Sequence, residues 1–492
     1  MHYQGGLDLR LRRDLRYIAD LNDQSKEARF HDHSGIELSC RIRDFSRTGI
    51  SFLLEDGSLT FKIGDIISDF QFFSFENIVY SGSVTIIHVQ DEYIDNKVIS
   101  RIGCSLENMI DISSIIKVDK VTKLQNEYLD FINSMAVENN LDDEFVHLTS
   151  HLHFILSTFE QRLKEEEDKM LEEEDSSLRA ALVDTLRSLS FEALNEVTFR
   201  FCKNFADITQ RFTDSKEHFI HKEFFQKRLN EFFMKSELFY RAYTKPLGYA
   251  GDYEMMNIIY RNTFEGKDIF SQVMNRIDCE GPASRAVRNR REFFCNKIQS
   301  LYRNTQDNDT IKIVSIACGP CMEIFDFLSK ISGDTKQHTI EIVAMDQDDN
   351  ALADSRNRLS SITDKLADVQ VQFVQGNIKA LIVGKETDKD PYKDADLIYT
   401  IGLFDYLSAN ASNRLILELY KFLRPGGTLI IGNFGTHNPQ RFKMEYGSEW
   451  VLIHRSEEDL MELTLGLPQG IPMWIEKEPE GINLFLNIQK PA

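Results

Sequence analysis

The chain has 492 residues, 42% of them apolar and 27% charged, which is enough for about three soluble domains rather than one core. A formal charge of −21 argues against a DNA, RNA or broad anionic-membrane partner, because binding polyphosphate requires clustered cations. No apolar run approaches the ~18 residues of an integral membrane span, no signal-peptide core opens the chain, and the seven cysteines are odd in number and scattered; a cytoplasmic protein with reduced thiols is expected.

Residues 1–119 read as a small β-barrel. Runs such as Ile36–Cys40, Gly49–Leu54, Ile66–Phe73 and Ser81–His88 alternate or cluster apolar residues between Gly, Asp and Asn punctuation. From about Val121 the period changes. Leu124, Tyr128, Phe131 and Ile132, then Phe145, Leu148, His151 and Leu152, recur at helical spacing, so 120–239 is expected to be a helical domain. The charge run Lys164–Asp175 inside it reads as a solvated helix face or loop and carries no function.

Residues 240–492 alternate strand and helix, as in a parallel, doubly wound sheet. Ile311–Ala317 is an apolar run followed by the tight turn Cys318-Gly319-Pro320-Cys321 and a helix from Met322. Glu341–Met345 forms a second strand that ends on Asp346. Val374-Gln-Gly-Asn377 ends a third, and Ala395–Thr400 is a fourth, leading into Gly402-Leu-Phe-Asp-Tyr-Leu407. Leu423-Arg-Pro-Gly-Gly427 introduces a fifth at Thr428–Gly432. Pro472–Glu478 and Ile482–Ile488 flank a short Pro479-Glu-Gly481 connection and should close the sheet edge as an antiparallel hairpin. The fold class is therefore multidomain α+β and α/β: a barrel, a helical middle and a Rossmann-like sheet with a terminal hairpin.

The turn alone also spells a CxxC dithiol. The residues before it are Ser-Ile-Ala, without the Trp of thioredoxins, and an acidic residue closes the next strand. Taken together, the landmarks resemble the class I S-adenosylmethionine-dependent methyltransferases over about 180 residues. The resemblance implies S-adenosyl-L-methionine as donor, held by Ser315, Ala317, Cys318, Gly319, Asp346, Gln347, Gly376, Asn377, Ile378, Gly402 and Leu403. The N–H groups of the turn and the helix dipole would receive the methionyl end. Asp346 would accept the ribose hydroxyls, Asn377 and its neighbours would meet the adenine amine, and Gly402 and Leu403 would wall the sulfonium. Ser315, Ala317 and Cys321 depart from the family's acidic and glycine positions.

Two upstream stretches, Tyr240–Met256 and Ala283–Arg291, with Gly402–Leu407 and Glu449–Arg455, are similar to the methyltransferases that make extracellular-factor 3-hydroxypalmitic acid methyl ester. That likeness implies O-methylation of a fatty-acid-like small-molecule carboxylate. Arg285, Arg288 or Arg455 could orient the anion, and Tyr243, Tyr249 and Tyr406 could hydrogen-bond it. His437 is the candidate base for a hydroxyl or amine acceptor. No metal site is expected.

Arg12-Arg-Asp-Leu-Arg16 followed by Asp44-Phe-Ser-Arg-Thr-Gly49 resembles the PilZ domain, the bacterial receptor for cyclic di-GMP, with Arg101–Leu106 as its closing strand. Arg12 and Arg16 can fork onto phosphates and guanine edges, Asp44 and Ser46 can bond a guanine edge, and Gly49 supplies clearance. The expected protein is a methyltransferase regulated by cyclic di-GMP, with the helices relaying ligand capture to a cover at Lys245–Asp252. A nucleotide receptor with a degenerate methyltransferase scaffold, or an enzyme acting on a protein or hydroxylated metabolite, stays open. A homo-oligomer is compatible with this sequence.

Overall fold

The computed structural model describes residues 17–18, 26–32, 35–54, 61–74, 77–94 and 97–111, isolated positions between 115 and 129, and residues 141–306, 309–332 and 338–492. The chain divides into two compact units, Met1–Asn139 and Asn140–Ala492.

In the first unit, strands β1 (Tyr17–Ile18), β2 (Lys26–His31), β3 (Glu37–Phe45), β4 (Gly49–Leu54), β5 (Ile66–Ser74), β6 (Asn77–Ile94) and β7 (Lys97–Leu106) pair antiparallel. The order β3-β2-β5-β6-β7-β4 closes through a β3–β4 pairing, giving a six-stranded barrel with β1 added beside β3. Closure is the simplest way to leave no bare edge on short strands. Alternating residues of β2 and β5 point inward, where Phe30 meets Phe52 and Phe70 at ring distances of 5.3 and 5.9 Å.

The second unit opens with three long helices, α1 (Asp143–Leu171), α2 (Ser176–Thr209) and α3 (Ser215–Phe233). Each is capped by an aspartate that accepts from a first-turn N–H: Asp142 from Phe145, Asp175 from Ser177 and Leu178, and Asp214 from Lys216. The acidic run closes α1 with intrahelical pairs such as Lys169–Glu166 (3.0 Å) and ends on the Asp175 cap. Shorter helices come next: α4 (Glu237–Thr244), α5 (Tyr253–Arg261), α6 (Ile269–Glu280) and α7 (Pro282–Asn304). Phe145, Phe205 and Phe225 from the long helices pack with Phe442, which lies beyond the fifth strand of the second sheet. The helices thus share one apolar core with the sheet domain.

That sheet contains β8 (Thr310–Ile316), β9 (Thr339–Asp346), β10 (Val369–Gln375), β11 (Ala395–Thr400), β12 (Leu423–Phe434), β13 (Met473–Lys477) and β14 (Asn483–Gln489). Its order is β10-β9-β8-β11-β12-β14-β13, parallel except for β14, which runs antiparallel to both neighbours. Helices α8 (Met322–Ile331), α9 (Asp349–Thr363), α10 (Ile378–Val383) and α11 (Ala409–Phe422) connect successive strands up to β12, and α12 (Glu457–Glu462) precedes the hairpin. The Leu-Arg-Pro-Gly-Gly segment belongs to β12 itself rather than to a separate turn. The register shifts opposite Ala395–Leu397, and Gly426 takes φ +79° there. Strand order reverses between β8 and β11, which is where open α/β sheets leave a crevice at their carboxyl ends.

Candidate functional site

Three residues of the turn after β8 have left-handed backbone: Ala317 (φ +53°), Gly319 (φ +53°) and Cys321 (φ +49°). For Ala317 and Cys321 this costs on the order of 1 kcal/mol each, which is why glycines suit these positions. A Cβ on Gly319 would meet nothing within 4 Å, so this peptide faces open space. Asp346, at the end of β9, lies beside the turn. Its carboxylate accepts from the N–H of Gly319 (2.9 Å) and of Asp348 (3.0 Å), and burial pushes its pKa up against the pull of those bonds.

The N–H of Cys318 donates to Met345 O (3.0 Å) and that of Cys321 to Cys318 O (3.2 Å). With Gly319 bound to Asp346, the free N–H cradle expected from the motif is therefore not available at these three residues. The two thiols are reduced and buried. Their mutual hydrogen bond, then burial, drives the Cys318 thiol well above its usual range, the reverse of what thiolate chemistry requires.

A cavity of about 310 Å³ opens beyond the turn, within the usual range for small-molecule sites. From the donor set read in the sequence, Ala317 to Gly319, Asp346, Gln347, Gly376 to Ile378, Gly402 and Leu403 line it. Ser315 does not; it is buried within β8 opposite Ala344 and Tyr399. The Asn377 side chain caps α10 by accepting from Ala380 N (2.9 Å).

The segment after α4 covers one side. Lys245 Nζ donates to Glu449 O (3.0 Å), and Arg241 holds Asp252 through Nε at 2.7 and 2.9 Å. Tyr406 ties the cover to the wall: its hydroxyl donates to Ala250 O (2.9 Å) and accepts from Trp450 Nε1 (2.9 Å). Gly251 is required there, since its φ is +81° and a Cβ would stand 2.5 Å from the Tyr406 hydroxyl. Tyr406→Phe keeps the ring and is expected to cost about 1–2 kcal/mol while accelerating amide exchange across 247–252. Unchanged exchange in that segment would rule out the clamp.

Of the residues considered for chemistry, Tyr249 and Tyr406 line the cavity. Burial, then nearby Asp346, pushes the Tyr249 hydroxyl up to about 12, so it stays protonated. Tyr243, Arg285, Arg288 and His437 are not among the lining residues, and His437 is exposed. Arg285 pairs with Glu480 (2.8 and 3.1 Å), and Arg288 with Glu280 (2.9 Å). Arg455 is buried and donates to Phe404 O (2.7 Å), Asn433 Oδ1 (2.5 Å) and Leu407 O, fixing the wall segment.

The sequence reading missed Arg290, Glu323, Tyr253 and Tyr260, all of which line the cavity. Glu323 accepts from Tyr399 (2.8 Å), and burial raises its pKa. One signal was present. Arg290 falls on the apolar stripe of α7, with Ala283, Ala286, Val287, Phe294 and Ile298 at helical spacing.

In the barrel, Asp44 is buried and ion-pairs with Arg101, whose Nε donates to Ser51 Oγ (3.3 Å). Ser46 Oγ accepts from Gly49 N (3.1 Å), closing the β3–β4 turn. Arg12 and Arg16 lie outside the described residues.

Residues 255–452, less than half of the chain, match the model of the ubiE/COQ5 methyltransferase family. The match supports an S-adenosylmethionine-dependent methyltransferase domain at the C-terminus, at the level of the family. No curated protein matches the chain significantly. Among solved structures, it is similar to a possible exported protein from Bordetella parapertussis (16% identity, 62% of this chain and 97% of that one, TM-score 0.41). It is also similar to the N-methyltransferase NodS from Bradyrhizobium japonicum WM9 in complex with S-adenosyl-L-homocysteine (15% identity, 43% and 90%, TM-score 0.29). A third likeness is to MrkH, described as a c-di-GMP dependence transcription regulatory factor (17% identity, 24% and 51%, TM-score 0.19). All three TM-scores are below 0.5, too low for these likenesses to bear on function. Among the described residues no helix is long and apolar enough to cross a membrane.

Proposed function

We propose that the second unit methylates a fatty-acid-like carboxylate with S-adenosylmethionine as donor, and that the barrel binds cyclic di-GMP as a regulator. The observation that carries the donor half is the buried Asp346 carboxylate at the end of β9, facing a cavity of about 310 Å³ across the turn Ala317–Cys321. Asp346 has accepting capacity beyond its backbone N–H bonds, which suits a pair of ribose hydroxyls. Gly376 and Ile378 give an apolar and peptide-lined end for an adenine.

Bound there, the donor supplies an electrophilic methyl group on sulfur. The chain's part is to position the acceptor and exclude water. A carboxylate acceptor is already ionised, so it needs alignment and desolvation rather than a base. In the lining, Tyr249 stays protonated and can serve as a hydrogen-bond donor to such an acceptor. The cover at 245–252, held by Tyr406 and Arg241, would exclude solvent during transfer.

Support for the regulatory half is narrower. Asp44, Ser46 and Gly49 lie together at the β3–β4 turn of a closed barrel, which supports that reading. Both halves are tested by incubating the protein with methyl-labelled donor and cell extract, then identifying labelled products by mass spectrometry. The expected result is label in an ester of an acidic lipid, at a rate that changes with saturating cyclic di-GMP. Label in protein or in a hydroxylated metabolite overturns the acceptor class. Equal rates with and without the dinucleotide overturn the regulation.

A further inference from the structure

Helix α7 carries four arginines within seven residues, and their surroundings differ in one respect. Arg285 has Glu480, Arg288 has Glu280, and Arg291 holds Asp326 through two bonds of 2.6 and 2.7 Å. Arg290 makes no ion pair among the described residues, although it is only 6% exposed. Its Nη2 lies 3.4 Å from the Met256 sulfur, it shares a hydrogen bond with the Tyr260 hydroxyl, and its Nε has no hydrogen-bond partner among the described residues. Asp405, a buried acid whose ionised form Arg290 favours, stands beyond ion-pair range of it and accepts from Phe434 N (2.6 Å).

A buried guanidinium without an ion-pair partner is costly, and the cost is reduced when an anion arrives. Arg290 lines the cavity, and a Cβ on Gly402 would stand 3.1 Å from its Nη2, so the guanidinium borders the wall after β11. The turn after β8 cannot perform the same task at Cys318, Gly319 and Cys321, whose N–H groups are taken up internally. We propose that Arg290 is the carboxylate anchor of this cavity, forking onto either the α-carboxylate of the methyl donor or the carboxylate of the acceptor. The assignment rests on the donor reading above and deepens it. It also replaces Arg285, Arg288 and Arg455 as the anion-binding arginine, because those three are occupied by Glu480, Glu280 and backbone carbonyls.

The test uses the full chain and titration calorimetry on wild type, Arg290→Met and Arg290→Gln. S-adenosylhomocysteine carries the α-carboxylate, whereas 5′-methylthioadenosine lacks the amino-acid end; decanoate serves as a simple carboxylate probe on protein saturated with S-adenosylhomocysteine. If the donor supplies the anion, both variants weaken S-adenosylhomocysteine at least about tenfold and leave 5′-methylthioadenosine unchanged. If the acceptor supplies it, both nucleosides bind as in wild type, and the decanoate heat seen with wild type disappears. Thermal unfolding without ligand should be no lower for Arg290→Met than for wild type, since the variant removes a buried charge that has no ion-pair partner among the described residues. Folded variants with unchanged affinity for all three probes overturn the proposal, as does failure of both variants to fold. Wild-type protein that binds neither nucleoside overturns the donor reading first and this assignment with it, a pattern distinct from the others.

Discussion

Asp346→Ala is expected to weaken S-adenosylhomocysteine at least about 100-fold, corresponding to about 3 kcal/mol. Two effects combine. The first is loss of a buried carboxylate that would accept from two ribose hydroxyls, each charge-assisted bond being worth about 1.5–3 kcal/mol net. The second is local: Asp346 holds the N–H of Gly319 and of Asp348, so its removal orphans both and frees a turn that already contains the left-handed Ala317 and Cys321. Asp346→Asn separates the contributions. An amide can still accept with its oxygen, which preserves part of the turn, but it presents a donor where the second hydroxyl needs an acceptor. Calorimetry on the three proteins measures the effect, and a dissociation constant for the alanine variant within threefold of wild type would exclude this cavity as the donor site.

Phe205→Ala is expected to destabilise the second unit by about 3–5 kcal/mol, the range for truncating a fully buried phenylalanine. Phe205 is completely buried; it stacks on Phe442 at 5.0 Å with an interplanar angle of 8° and meets Phe145 and Phe225 edge-on at 5.0 and 5.2 Å. Phe442 comes from the stretch after β12, so the cavity left behind would lie in the core that the helices share with the sheet domain. Denaturant unfolding followed by the fluorescence of Trp450 and Trp474, both in the second unit, should therefore move to lower midpoint together with the helical circular dichroism. Phe154→Ala, on the same helical layer but 66% exposed, should change the stability by less than about 0.5 kcal/mol. If Phe205→Ala melts the helices and leaves the tryptophan transition unmoved, the helices are an independent folding unit.

The fold was readable because its signals are local. Ile311–Ala317 and Glu341–Met345 are apolar runs long enough for buried strands, each with an abrupt polar or glycine stop, and the structure has β8 and β9 there. The helical middle was legible from spacing, and Asp142, Asp175 and Asp214 end up as the caps such sequences use. Strand limits moved further: the runs Ile36–Cys40 and Ser81–His88 extend to Phe45 and to Asn77–Ile94, and the fifth strand starts at Leu423 instead of Thr428 because Gly426 and Gly427 let the chain keep its pairing across a bulge, which depends on the partner strand.

The candidate site was legible only in part. Asp346 and Gly319 could be proposed from order along the chain, since a strand end and the next turn are fixed neighbours in a parallel sheet. That the N–H of Gly319 would already be bonded to Asp346 could not be read, because it depends on the approach of two loops. The arginines of α7 show the boundary most clearly. By itself the amino-acid sequence determined that four guanidinium groups lie within seven residues of one helix and that Arg290 falls on its apolar stripe. Only the tertiary structure decided which of them keeps its charge available, because the neutralising carboxylates come from elsewhere: Glu480 is 195 residues away and Asp326 is 35. Helix periodicity is set by backbone geometry within a few residues, whereas the pairing of a charge is set by whatever the folded chain brings within about 4 Å.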